Sequence, residues 1–271
     1  MILKDKNILL AVTGSIAIYK SLELIRLFIK AGANVKVILS DGAKKFINPI
    51  TFEAISQNRV LDESSESWDK SQNYNHIDIT KWADILLIAP ATANTINKIS
   101  CGIADNLLLQ TVLACKKKII IAPAANTNMI ENPITIQSIN NLKNLGFEVL
   151  QTQTKELICK DVGNGAMLEP IDIFHKTCKE LLKTSYWENR RAVLSGGGTL
   201  EKIDDVRYIS NFSSGKMASN LATALYYLGA NVTLVSSRGF ENIPYEIDLR
   251  VSHSSQQMFE NLKLALEKKF D

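Results

Sequence analysis

Short, unbroken apolar runs recur along the first half of the chain, each closed by small or polar residues and followed by apolar positions at helical spacing. Asn7 to Thr13 is such a run, ending at Gly14 and Ser15. Leu22, Leu24, Ile25, Leu27 and Phe28 then recur every three or four residues up to Gly32, so the order strand, tight turn, helix is predicted. Asn34 to Leu39 reads as a second strand stopping at Ser40, and Asp84 to Ala89 (DILLIA) and Lys118 to Ala122 (KIIIA) repeat the pattern. Strands this apolar, alternating with helices, are buried on both faces. That predicts a parallel sheet in an α/β fold, with ligands beyond the carboxyl ends of the strands.

Polar segments at Asp62 to Asn75 and Thr152 to Gly165 interrupt the pattern and predict loops. Around Lys183 to Arg191 the chain turns charged, after which Ala192 to Leu194 starts a strand, Gly215 to Gly229 a helix and Asn231 to Ser236 a further strand. A domain boundary is placed there, giving residues 1–185 and 186–271. The second part ends on a helix-like stretch with no strand predicted after it, so it reads as incomplete. The 271 residues are enough for one to two domains of roughly 100 to 200 residues each.

A net charge of +3 is too small for a dedicated nucleic-acid binder. No apolar stretch reaches the ~18 residues that span a membrane. Four widely spaced cysteines form no metal or disulfide pattern, so reduced thiols and a cytoplasmic setting are expected, with no metal site. Cys101, Cys115 and Cys178 lie in helical, apolar surroundings and are expected to pack; His175 and His253 are expected to be solvated.

Candidate chemistry gathers at the strand ends. Gly14, Ser15 and Ile16 form the first strand-to-helix turn, where backbone N–H groups favour an anion, although a plain tight turn needs the same residues and no GxGxxG is present. Pro90, Ala91, Thr92, Ala93 and Asn94 follow DILLIA, and Pro123 to Met129 follow KIIIA. Small residues there admit a flat ring and Thr92, Asn94 and Asn126 offer hydrogen bonds; helix capping is the plainer reading. His76, beside Asp78, is a candidate general base, and Cys159, in a glycine-containing loop beside Lys160, a candidate proton donor. Ser195 to Thr199 is a glycine-rich turn suited to a nucleotide phosphate, and Ser213, Ser214, Gly215 and Lys216 open a helix without the spacing of a P-loop.

In this order, GSIAIYK, NPITFEAIS, NHIDIT, APATANTINKISCGIADNLL, PAANTNM, GNGAMLEP and GGGTLEKIDDVRYISNFSSGKMASNLA resemble the bifunctional bacterial flavoproteins of coenzyme A biosynthesis. In those proteins a phosphopantothenoylcysteine decarboxylase of the flavin-containing cysteine decarboxylase family is fused to a phosphopantothenate–cysteine ligase. The resemblance implies a flavodoxin-like, Rossmann-like parallel-sheet domain binding FMN, followed by an incomplete second α/β nucleotide-binding domain. It further implies trimer-based homo-oligomers, assembling to a dodecamer with sites shared between subunits, that act on 4′-phosphopantothenoylcysteine and not on nucleic acid or membrane. Gly14 to Ile16, Ser40 and Pro90 to Asn94 would hold FMN. The flavin oxidises the substrate's cysteine side chain to a thioaldehyde, decarboxylation follows, and the electrons return to the enethiol. His76 would act in acid–base chemistry or orient the carboxylate, Asn126 would bind the carboxylate, and Cys159 would donate a proton. Gly196, Gly197, Gly198, Thr199, Asn211 and Ser213 to Lys216 would belong to the ligase half, which uses CTP and Mg2+.

The chain departs from the family pattern at Ala125, Ile130, Lys160 and Ala166. No counterpart of the later ligase segments precedes Asp271, so ligase turnover is not expected. Two other functions remain open on the sequence. One is a flavin-binding oligomeric scaffold or regulator without catalysis, which those departures favour; the other is a flavoprotein decarboxylase of peptidyl carboxyl-terminal cysteine.

Overall fold

The computed structural model describes residues 1–67, 75–156, 162–240 and 242–267. The chain forms two compact units, Met1–Thr177 and Cys178–Asp271.

In the first unit, strands β1 (Asn7–Val12), β2 (Asn34–Leu39), β3 (Ile85–Ala91), β4 (Lys118–Pro123) and β5 (Glu148–Val149) form one parallel sheet in the order β2-β1-β3-β4-β5. That is the order of the flavodoxin-like doubly wound fold. Helices α1 (Tyr19–Ala31), α2 (Asp41–Lys44), α3 (Pro49–Ser56), α4 (His76–Trp82), α5 (Ala93–Ser100), α6 (Leu107–Ala114), α7 (Thr127–Ile130) and α8 (Pro133–Asn144) lie between the strands. Alternation along each strand sends Leu9, Ala11, Leu86, Ile88, Ile119 and Ile121 to one face, where Ile79, Ile96, Leu108 and Leu142 of α4, α5, α6 and α8 cover them. Ile8, Leu10 and Val12 face the other way, the side covered by Leu24, Ile25 and Phe28 of α1. Phe28 meets Phe174 at a centroid distance of 5.6 Å, on α9 (Pro170–Leu182). Helix α1 stops where Gly32 takes φ 98°, a left-handed cap that glycine adopts without strain.

The sequence predicts only loop for residues 152–165, whereas Gln153–Glu156 (β6) and Val162–Ala166 (β7) pair as an antiparallel ribbon. Its strands carry polar residues and glycine instead of a buried alternating face, which hid the pairing. Cys159, Lys160 and residues 68–74 lie outside the described residues. Two further expectations are corrected. His175 is 5% exposed because it sits on the inner side of amphipathic α9. Cys101 is exposed rather than packed, since α5 has already ended and the residue caps it.

In the second unit, β8 (Arg191–Gly196), β11 (Asn231–Ser236) and β12 (Asp248–Val251) form a parallel sheet in the order β12-β11-β8. Helix α10 (Lys216–Tyr227) connects β8 to β11, α11 (Ser255–Leu266) follows β12, and a small hairpin, β9 (Glu201–Lys202) with β10 (Tyr208–Ile209), precedes α10. Strand β12 is short and half exposed, with charges at Asp248 and Arg250, and the apolar-run criterion does not find it. Burial pushes the Cys178 thiol up to about 12 despite its hydrogen bond with Tyr227.

Candidate functional sites at the carboxyl ends of the strands

From β1 the chain crosses to β2 on one side, and from β3 to β4 on the other. The crevice between the ends of β1 and β3 is therefore the switch point where doubly wound sheets bind ligands. Buried Thr13 laces its walls together. Its Oγ1 donates to Pro90 O at 2.7 Å and accepts from Thr92 N at 3.0 Å, and its amide donates to Pro90 O at 3.2 Å. Gly14 follows, and a Cβ there would stand 2.7 Å from the Gly42 backbone, so only glycine lets the turn close on the start of α2. Ser15 Oγ accepts from Ala17 N at 3.3 Å and Ser40 Oγ from Ala43 N at 3.2 Å, while Ser40 N donates to Val12 O. Ser40 thus sits against the end of β1. Ile16 and Tyr19 stay exposed at the turn.

The sequence placed Pro90 to Asn94 in a loop, but β3 runs on through Ala91 and α5 begins at Ala93. Pro90, Ala91 and Ala93 are buried where β3 ends and α5 begins, Thr92 caps α5 through Thr95 N, and Asn94 is exposed on the helix. Ala124 N donates to Ala91 O at 2.9 Å and brings the end of β4 alongside. There Asn126 caps α7, its Oδ1 accepting from Asn128 N. Ala125 N donates to Gly165 O at 3.1 Å, and any Cβ on Gly165 would collide with the Ala125 carbonyl. The ribbon whose strands flank the segment with Cys159 is thereby fastened next to Asn126. Its root is held again where buried Lys20, at the start of α1, donates to Met167 O at 2.9 Å and to Glu169 Oε1 at 3.0 Å.

His76 opens α4, which Asn75 caps through Ile77 N and Asp78 N. Its Nδ1 lies 2.8 Å from Glu66 Oε1, with both side chains about four-fifths buried at 19% and 21% exposure. Glu66 is delivered by a well-tied segment. Leu61 pairs with Ile38 beside the carboxyl end of β2, Asp62 caps the turn through Ser64 N and Ser65 N, and Lys44 bonds Asp62 at 3.0 Å. Burial alone would raise the Asp62 carboxyl. Hydrogen bonds from Lys44, Ser64 and Ser65 outweigh it and hold the group below the usual carboxylate range. Glu63 accepts from Leu107 N at the start of α6. His76 and Asn126 therefore start from separate elements, α4 and the β4–α7 turn.

Sequence reasoning missed Thr13, Lys20 and Glu66. Thr13 carries a local signal, a hydroxyl at the exact end of an apolar strand; Glu66 carries none, because its partner is ten residues away across a polar segment.

In the second unit, Gly196, Gly197 and Ser213 to Lys216 line one cavity of about 530 Å³ together with Phe212, Met217 and Leu221. Gly197 has φ +87° and Gly215 φ +73°. Gly198 N donates to Ser213 O at 3.3 Å, Asn211 Oδ1 accepts from Ser213 N at 2.9 Å, and a side chain on Gly198 would collide with Asn211. Thr199 follows the turn and does not line the cavity.

A parallel sheet in the order 2-1-3-4-5, with small and hydroxyl residues at the strand ends of its switch point, defines a flavodoxin-like doubly wound protein. Comparison with known proteins narrows the class. The flavoprotein family model matches residues 2–182, and the model of the DNA/pantothenate metabolism flavoprotein C-terminal domain matches residues 187–270; the chain belongs to the flavoprotein family. The coenzyme A biosynthesis bifunctional protein CoaBC of Vibrio parahaemolyticus (serotype O3:K6, strain RIMD 2210633) is 39% identical over 95% of this chain and 64% of its own length. That of Bacillus subtilis (strain 168) is 39% identical over 86% of this chain and 58% of its own. The chain thus spans about three fifths of these relatives. Among solved structures, a PPC decarboxylase mutant complexed with pantothenoylaminoethenethiol superimposes with a TM-score of 0.57 at 32% identity, covering 64% of this chain and 97% of that one. The FMN binding protein AtHal3 gives 0.58 at 34% identity, covering 64% and 95%. Among the described residues no helix is long and apolar enough to cross a membrane, and no group of acidic, histidine or cysteine residues could hold a metal ion.

Proposed function

We propose that this chain carries the FMN-dependent decarboxylation of 4′-phosphopantothenoylcysteine to 4′-phosphopantetheine, with the cofactor in the β1/β3 crevice. The strand ends fit that group: Gly14 lets the backbone of the turn close on Gly42, Ser15, Ser40 and Thr92 supply hydroxyls, and Pro90, Ala91 and Ala93 keep the end of β3 small and apolar. Ile16 and Asn94 complete the edge. When bound, FMN supplies the reversible two-electron chemistry that makes the substrate carboxylate easy to lose.

The protein's own share is binding and proton handling. The side-chain amide of Asn126 donates to the substrate carboxylate and holds it for departure. His76 exchanges a proton at the reacting cysteine moiety through Nε2, the nitrogen left with the lone pair when Nδ1 donates to Glu66. Cys159, carried between the ribbon strands fastened beside Asn126, returns a proton in the reductive half. The observation that carries this reading is the His76–Glu66 contact of 2.8 Å: a scaffold that only stored flavin has no use for an imidazole oriented by a carboxylate.

The second part of the reading concerns residues 186–271. We assign them, apart from residues 1–185, to a partial ligase half. Gly196, Gly197 and Ser213 to Lys216, which line the cavity, would face CTP and Mg2+, with Gly198, Thr199 and Asn211 following or bracing the turn outside it. The gap between the two family matches, 182 to 187, supports a division there. The active assembly is a homo-oligomer built from trimers.

The test is product analysis of the purified yellow protein given 4′-phosphopantothenoylcysteine, following carbon dioxide and 4′-phosphopantetheine together. Both are expected from the wild type. His76→Asn is expected to keep flavin and release no carbon dioxide, and Cys159→Ser to release carbon dioxide without forming reduced product. Bound flavin with neither product in the wild type would leave the scaffold reading instead.

A further inference from the structure

We infer that Glu66 is a positioning residue of the reaction, acting through His76; the inference rests on the role proposed for His76 above. Three features of the structure point to it. First, Glu66 Oε1 meets both the Nδ1 of His76, at 2.8 Å, and its backbone amide, at 3.4 Å. One carboxylate oxygen therefore fixes the ring and the start of α4 that carries it. Secondly, the contact is four-fifths buried on both sides, where a carboxylate–imidazole hydrogen bond is stronger than at an open surface. Thirdly, the segment presenting Glu66 is tied at three points: to the sheet through Leu61 and Ile38, to α2 through Asp62 and Lys44, and to α6 through Glu63 and Leu107. Such a tether holds the carboxylate in place before substrate arrives, so the ring orientation does not have to be selected during the reaction.

The chemical consequence is a choice of tautomer. A carboxylate accepts only, so His76 Nδ1 carries its hydrogen, and in the neutral ring the lone pair is then on Nε2. Without Glu66 the ring can turn and exchange tautomers, and proton transfer suffers while substrate and flavin contacts persist.

The experiment uses the full chain with bound flavin. Glu66→Leu is expected to lower kcat for carbon dioxide release by about tenfold or more, as removal of an outer partner of a working histidine does elsewhere, with KM and flavin content unchanged. Glu66→Gln, whose carbonyl oxygen accepts the same Nδ1 hydrogen, is expected to recover part of that loss. Equal losses of kcat in Leu and Gln variants accompanied by loss of flavin would make Glu66 merely structural and overturn the inference, as would wild-type kcat in Glu66→Leu. A readout independent of turnover separates the two readings. Diethyl pyrocarbonate acylates whichever imidazole nitrogen carries the lone pair, and the adduct on His76, located by tandem mass spectrometry, is expected on Nε2 alone in the wild type and on both ring nitrogens in Glu66→Leu. Adducts on both nitrogens of the wild type overturn the positioning role. Single-nitrogen labelling in a protein whose wild type releases no carbon dioxide leaves the positioning intact and removes the decarboxylase reading.

Discussion

Thr13 shows how much one side chain decides at the crevice. The residue is 3% exposed, and its hydroxyl serves at once as donor to Pro90 O and acceptor from Thr92 N. It replaces, between the diverging ends of β1 and β3, the ladder bonds that the strands can no longer make. Thr13→Val keeps the shape and removes both bonds, leaving the partly buried Thr92 amide without this acceptor. A cost of about 1–3 kcal/mol is expected, measured as a fall in the denaturant midpoint with an unchanged slope. Flavin content should fall with it, because Thr92 and the residues before it form the crevice wall; full flavin retention in a destabilised variant would show that the lacing serves folding alone. In the sequence Thr13 reads only as the end of an apolar run. The hydroxyl's two partners are 77 and 79 residues away, a distance over which residue pattern says nothing.

The elements differ in how legible they were, and the reason is burial. β1, β2, β3, β4 and β11 are well-covered strands, so their residues form apolar runs that could be marked within one or two positions; β8 is a partly exposed edge strand marked only by its short run Ala192 to Leu194. The β6–β7 ribbon and β12 are exposed on at least one side and keep polar residues, and neither was found. The segment from Val60 to Ser67 belongs to no helix or sheet strand, yet it is tied through the Leu61–Ile38 bridge and through Asp62, Glu63 and Glu66. Its hold depends on ionisation. Because the Asp62 carboxyl is held below its usual range, its contribution to stability is complete above the unfolded value of about 3.9 and is lost as pH falls through the lower folded value. The melting temperature of the wild type should therefore drop more steeply below about pH 4 than that of Asp62→Asn, which has no charge to lose. Parallel curves for the two proteins would remove Asp62 as the acid-sensitive anchor of the segment.

For the whole molecule, the pattern of strands and helices was enough to predict two α/β parts, while the geometry of neither candidate site follows from pattern alone. The sites are assembled from strand ends that are far apart in the chain, and one consequence reaches beyond a single copy. Around the crevice the first unit leaves large apolar side chains uncovered, Ile16 at 54% and Tyr19 at 57% on the turn itself and Met129 at 49% on the helix that Asn126 caps. Exposed apolar groups scattered over a surface need no explanation, but groups gathered at the rim of a ligand crevice are where a partner surface is expected. If crevices are shared between copies, as the proposed trimer requires, these side chains are buried in the active form and the isolated chain of 30.1 kDa is not a working species. Light scattering of the flavin-loaded protein should then give a mass at a multiple of three chains, and Tyr19→Asp should lower that mass and carbon dioxide release together, since a charge at the rim opposes association. A stable, fully active monomer would place the entire site within one chain and leave Ile16, Tyr19 and Met129 as ordinary surface residues.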